Sequence, residues 1–174
     1  MTVNANAQSN PSTDILLIGL GNVLLSDEGI GVHILRQLER DYRFEPTIML
    51  IDGGTSGLDL LPLFAEYRRI LMIDAIACNA APSHITVWRD AEIRRALNPK
   101  LSVHHLGISD LLALVELLDY SPHEIVLVGI VPESLELGVE LSPTVARVIP
   151  TVIAQVREIM NGWGVAVLEQ SIVD

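Results

Sequence analysis

Apolar residues run without alternation through 15–20, 47–51, 70–73 and 125–131, each run bounded by turn residues or charges. Continuous runs of strand length suit strands buried on both faces of a mainly parallel sheet. Residues 84–90, "HITVWRD", alternate more and mark a candidate edge strand, with antiparallel pairing open to it. Between these runs the period changes. Ile30, Ile34, Leu35 and Leu38 share one helical face, and Leu58, Leu61 and Phe64 begin a second helix capped by Thr55 or Ser56. A third helix is expected over 105–118. A last one opens with Ser142 as N-cap and Pro143 at its first position and closes at Asn161-Gly162, with Pro150 imposing a kink or a division into two helices. Alternation of strand and helix predicts an α/β fold, a three-layer αβα sandwich around a mainly parallel twisted sheet of about five strands.

Composition narrows this only a little. At 174 residues the chain suits one domain, expected over 14–174 after a disordered polar lead at 1–13. It is 49% hydrophobic with mean hydropathy +0.41, yet no apolar run approaches the ~20 residues of a membrane span. The lead lacks the basic and apolar regions of a secretory signal, and the single Cys78 excludes an internal disulfide or a multi-cysteine zinc site, so a cytoplasmic location is expected. With 22 acidic and 11 basic residues the net charge is −11, which repels nucleic acid and anionic membranes. No oligomerisation face is evident, and a monomer is expected.

The chemistry gathers at the strand ends, where ligands bind in open α/β sheets. Gly19-x-Gly21 begins like a phosphate-binding loop, but Leu24 stands at the third glycine position and Asp27 and Glu28 follow. Carboxylates there would repel a phosphate, and they suit a cation instead. Asp52 follows the second run, Asp74 the third, Pro132-Glu133 the fifth, and "SVHH" with His104 and His105 precedes the third helix. Carboxylates with a neutral imidazole form a ligand set fit for Zn²⁺, Ni²⁺ or a similar ion, with an open coordination position. Competing structural roles are available: Glu28 can complement a helix dipole, Asp52 can start an Asx-turn, and either histidine can cap a helix. Asp27 reads as a helix-capping acid. No His-Glu-x-x-His, Gly-x-Ser-x-Gly or Walker lysine is present.

In their order and spacing, "GLGNVLLSDEGIGV", "DGGTSGLDLL", "IDAI", "SVHHLGISDLL" and "VGIVPESLELGVELSPTV" make the chain resemble the endopeptidases that mature nickel-iron hydrogenases, over about residues 14–161. The resemblance implies removal of the C-terminal extension of the hydrogenase large-subunit precursor once nickel is inserted, with that nickel as the recognition element. It implies Glu28, Asp74 and His104 as metal ligands, and Asp52 as a supporting or catalytic carboxylate. Val103 stands where many relatives carry proline, and His105 directly follows His104, so position in the motif selects His104. The implied metal is nickel supplied by the substrate, with zinc or cadmium as in-vitro occupants. In the implied mechanism these ligands orient the metal, which polarises the scissile carbonyl or activates water, while Asp52 acts as base or fixes its loop.

Overall fold

The structure, a computed structural model, describes residues 14–97 and 106–170. The lead at 1–13 and both His104 and His105 lie outside the described residues. In chain order the elements are β1 (Ile15–Leu20), α1 (Ile30–Asp41), β2 (Tyr42–Glu45), β3 (Met49–Gly54), α2 (Leu61–Glu66), β4 (Arg69–Ala75), β5 (Ile85–Arg89) and α3 (Ala91–Ala96). After them come α4 (Leu106–Leu117), β6 (Glu124–Ile130), α5 (Pro143–Ala146), α6 (Ile149–Gly162) and β7 (Ala166–Glu169).

Five strands form the central sheet in the order β3-β1-β4-β6-β5. All pairs are parallel except β5 with β6, so the alternating edge segment is antiparallel. Each interior strand sends successive side chains to opposite faces. Leu17, Leu71, Ile73, Val126 and Val128 pack under α1 and α6, whereas Leu16, Ile18, Ile70, Met72 and Leu127 pack under α2, α3 and α4. Two apolar layers therefore flank one sheet, which is the expected three-layer sandwich.

The details that differ have local causes. β3 and β4 extend past the apolar runs, so Asp52 and Asp74 lie within the strands rather than after them, opposite Gly19 and Gly129 respectively. Hydrogen-bonded pairing continues through these polar residues, and a hydropathy pattern stops at them. After Ser56 the chain makes a 3-10 turn, Gly57–Leu60, before α2, and the Ser56 side chain makes no capping bond. Ser142 does cap α5, accepting from the Val145 N–H, and Pro150 sits in the first turn of a separate α6, so the proline divides the segment into two helices. Three short elements were not expected: α3, and the antiparallel pair β2 and β7. The two strands have four residues each, too few to establish a period.

Gly31 sets how closely α1 can approach the sheet. A Cβ there would stand 2.1 Å from the Ile73 carbonyl oxygen and 2.5 Å from that of Leu20, both backbone atoms in fixed strands. Gly31→Ala should cost about 3 kcal/mol through overpacking, lowering the melting temperature by about 6–12 °C. A calorimetric melt at the wild-type temperature would contradict this packing.

Candidate active site

From β1 the chain turns towards β3, whereas from β4 it leads on towards β6, so the connections diverge between β1 and β4. Such a switch point leaves a crevice at the carboxyl ends of the strands. A cavity of about 210 Å³ occupies that region, lined by Gly21 and Glu28 from beyond β1, Gly54 and Thr55 at the end of β3, and Asp74 of β4. Apolar walls come from Leu20, Ile76, Leu111 and Leu135.

Each acid is placed by its local backbone. The chain leaves β1 through Gly21, whose φ of +114° favours glycine and whose N–H donates to the Gly54 carbonyl at 2.9 Å. It then forms a 3-10 turn, Ser26–Gly29, that presents Glu28 to the cavity before α1 begins. Asp74 is carried on the buried strand β4, and its Oδ1 accepts from the Ala75 N–H at 2.8 Å. Burial pushes the Asp74 carboxyl up to about 8, the Ala75 hydrogen bond opposes the shift, and the nearby Glu28 charge adds to it. Glu28 Oε2 is itself buried without a hydrogen-bond partner among the described residues. The two acids thus share one recess. An orphaned anionic oxygen beside a second acid suits a positive ligand, which would relieve the repulsion and draw Asp74 back to its carboxylate form.

The other candidates are distributed differently. Asp52 does not line the cavity: its carboxylate accepts from Arg36 of α1 at 3.0 Å, tying α1 to the strand that ends in Gly54. Both partners are partly exposed, so this pair contributes at most ~1 kcal/mol. Among the described residues no group of three His, Cys, Asp or Glu is arranged to hold a metal.

Asp27 departs from its expected capping role. Leu25 and Gly29 occupy the N-cap positions of the 3-10 turn and of α1, while Asp27 is 0% exposed. Its carboxylate accepts from the Glu133 N–H and Ser134 N–H, both at 2.9 Å, and from the Ser142 N–H at 2.7 Å and hydroxyl at 2.8 Å. Burial alone would raise this carboxyl, but the hydrogen bonds from Ser134, Ser142 and Glu133 outweigh it and hold it below the usual value. Sequence spacing offers no signal for such a contact, because the partners lie more than a hundred positions away.

A mainly parallel sheet covered by helices on both faces, with Glu28 and Asp74 lining a cavity at its switch point, defines an α/β protein with an acidic rim site. The chain belongs to the hydrogenase maturation protease family, whose model matches residues 32–159. It is 38% identical over 152 residues to the hydrogenase 2 maturation protease of Escherichia coli K12, covering 87% of this chain and 93% of that one. It is 34% identical over 155 residues to the hydrogenase expression/formation protein HupD of Rhodobacter capsulatus, covering 88% and 74%. Among solved structures, the hydrogenase maturating endopeptidase HybD from E. coli superposes with a TM-score of 0.84 at 36% identity, over 90% of this chain and 97% of that one. The chain is therefore a protease of this family.

Proposed function

We propose that this chain removes the C-terminal extension of a nickel-iron hydrogenase large-subunit precursor after nickel insertion, and that it recognises the nickel the precursor already holds. The observation that carries this reading is the pair of acids lining a cavity at the sheet's switch point, buried Asp74 and half-buried Glu28, with the Glu28 Oε2 atom buried and without a hydrogen-bond partner among the described residues.

Nickel in this account is part of the substrate. Glu28 and Asp74 supply oxygen ligands, and His104, which lies outside the described residues, supplies the nitrogen that the resemblance implies. Three such ligands without cysteine can engage a nickel ion held by substrate thiolates without stripping it away. The engaged precursor is thereby fixed with its scissile peptide at the cavity. Hydrolysis adds water across the C–N bond, leaving a carboxylate on the mature subunit and an amine on the released peptide. Of the two roles expected for Asp52, the Arg36 ion pair favours fixing the loop whose Gly54 and Thr55 line the cavity.

The test incubates the protein with nickel-loaded and nickel-free precursor and follows the released C-terminal peptide by mass spectrometry. Release from the loaded form alone is expected. Equal release from both would sink nickel gating, and binding without any cleavage would favour a nickel-sensing chaperone.

A further inference from the structure

Two segments far apart in sequence, each of which supplies part of the cavity wall, are zipped together. The Ser26 N–H donates to the Gly138 carbonyl at 2.8 Å, the Gly138 N–H to the Leu24 carbonyl at 3.0 Å, and the Asp27 N–H to the Ser134 carbonyl at 3.2 Å. Beneath them the buried Asp27 carboxylate takes its four hydrogen bonds from Glu133, Ser134 and Ser142, which matches the roughly four lone-pair sites a carboxylate offers. The later segment supplies Pro132 and Leu135 to the cavity wall, and the other supplies Glu28. None of these contacts takes part in engaging a metal or cutting a peptide, yet they decide where one wall stands against the other.

We propose that Asp27 is a positioning residue for cleavage: its carboxylate latches residues 132–142 onto the turn that carries Glu28 and so sets the opening through which the substrate chain enters. This rests on the reading that the peptide is cut at this cavity. The wall touches the substrate before and during reaction alike, so loosening it removes uniform binding and raises KM with little effect on kcat. Loss of Glu28 or Asp74 acts on kcat instead.

Asp27→Asn keeps the shape but turns an N–H₂ towards N–H donors. It should raise KM about tenfold with kcat within about threefold of wild type. The amides of Glu133, Ser134 and Ser142 should exchange at least ~10 times faster while those of β4 keep their protection. A cross-link supplies the rescue. A Cβ on Gly138 would lie 2.9 Å from Ser26 Oγ, close to the Cβ-to-sulfur spacing across a disulfide. In a Cys78→Ser parent, oxidising a Ser26→Cys/Gly138→Cys pair should return the KM of Asp27→Asn to within about threefold of that parent, and reduction should undo it. Should Asp27→Asn fail to fold, Ser142→Ala, which removes one donor, is used with the same pair and should show a smaller KM rise that oxidation again reverses. A wild-type KM in the folded variant, or a loss confined to kcat that the cross-link does not restore, overturns the latch. Unimpaired cleavage by both Glu28→Gln and Asp74→Asn would instead refute the cavity reading, and the latch with it.

Discussion

Replacing Asp74 with asparagine is expected to lower precursor cleavage by at least about a hundredfold while making the folded protein more stable at neutral pH. The carboxyl is buried in β4 beside Glu28, which together with burial raises it to about 8. Its unfolded value lies near 3.8, so between those values the native state binds more protons than the unfolded one. Its contribution is fully present below the unfolded value and is lost as pH climbs through the folded one. Stability should therefore fall across that interval, by at most about 1.4 kcal/mol per pH unit. Asparagine carries no charge to bury and still offers an oxygen to the Ala75 N–H, so the variant should lack this slope. Urea unfolding from pH 4 to pH 8 reads the difference. A variant less stable than wild type near pH 7.5, or equally active, would remove Asp74 from the role assigned here.

Glu28→Gln should lower kcat by at least about a hundredfold, because it keeps the shape of the 3-10 turn and removes the anionic oxygens offered to the metal. Its melting temperature should stay close to that of wild type, since Glu28 Oε2 has no hydrogen bond to lose among the described residues. A geometric companion is Gly21→Ala. A Cβ at Gly21 would fall 1.7 Å from the Glu28 carbonyl oxygen, at a φ of +114°, so the turn bearing Glu28 must move. Activity should fall by about tenfold or more in protein that still folds, although every carboxylate is retained. Full activity in either variant would mean that the placement of Glu28 does not matter to cleavage.

Much of this could be read from the chain because the physics involved was local. Uninterrupted apolar runs marked the interior strands because both sheet faces are covered. Ser142-Pro143 marked a helix start because cap and first-turn chemistry act within three residues. Asp74, after one apolar run, lies at a strand end that lines the cavity, whereas Asp52, after another, pairs with Arg36 and does not line it. What escaped was non-local or brief. β2 and β7 pair across more than a hundred positions with four residues each, and Asp27 finds its donors only when the 133–142 segment folds back. Its neighbour Glu28 carries the same charge one residue away, and it is the family resemblance, not residue chemistry, that sets Glu28 apart as the ligand and leaves Asp27 as a cap. Gly21 shows the opposite case. Its presence suggested a phosphate loop, but what requires glycine there is the carbonyl of Glu28 pressing against it.

In the proposed function Glu28 and Asp74 meet the nickel carried by the precursor. Nickel-edge X-ray absorption on rapidly frozen complexes of nickel-loaded precursor with this protein tests it most directly. Binding of the wild-type chain should add oxygen and nitrogen neighbours to the nickel while its sulfur neighbours stay, and Glu28→Gln should lose part of that addition. A nickel spectrum that stays unchanged when the wild-type chain binds would contradict the account.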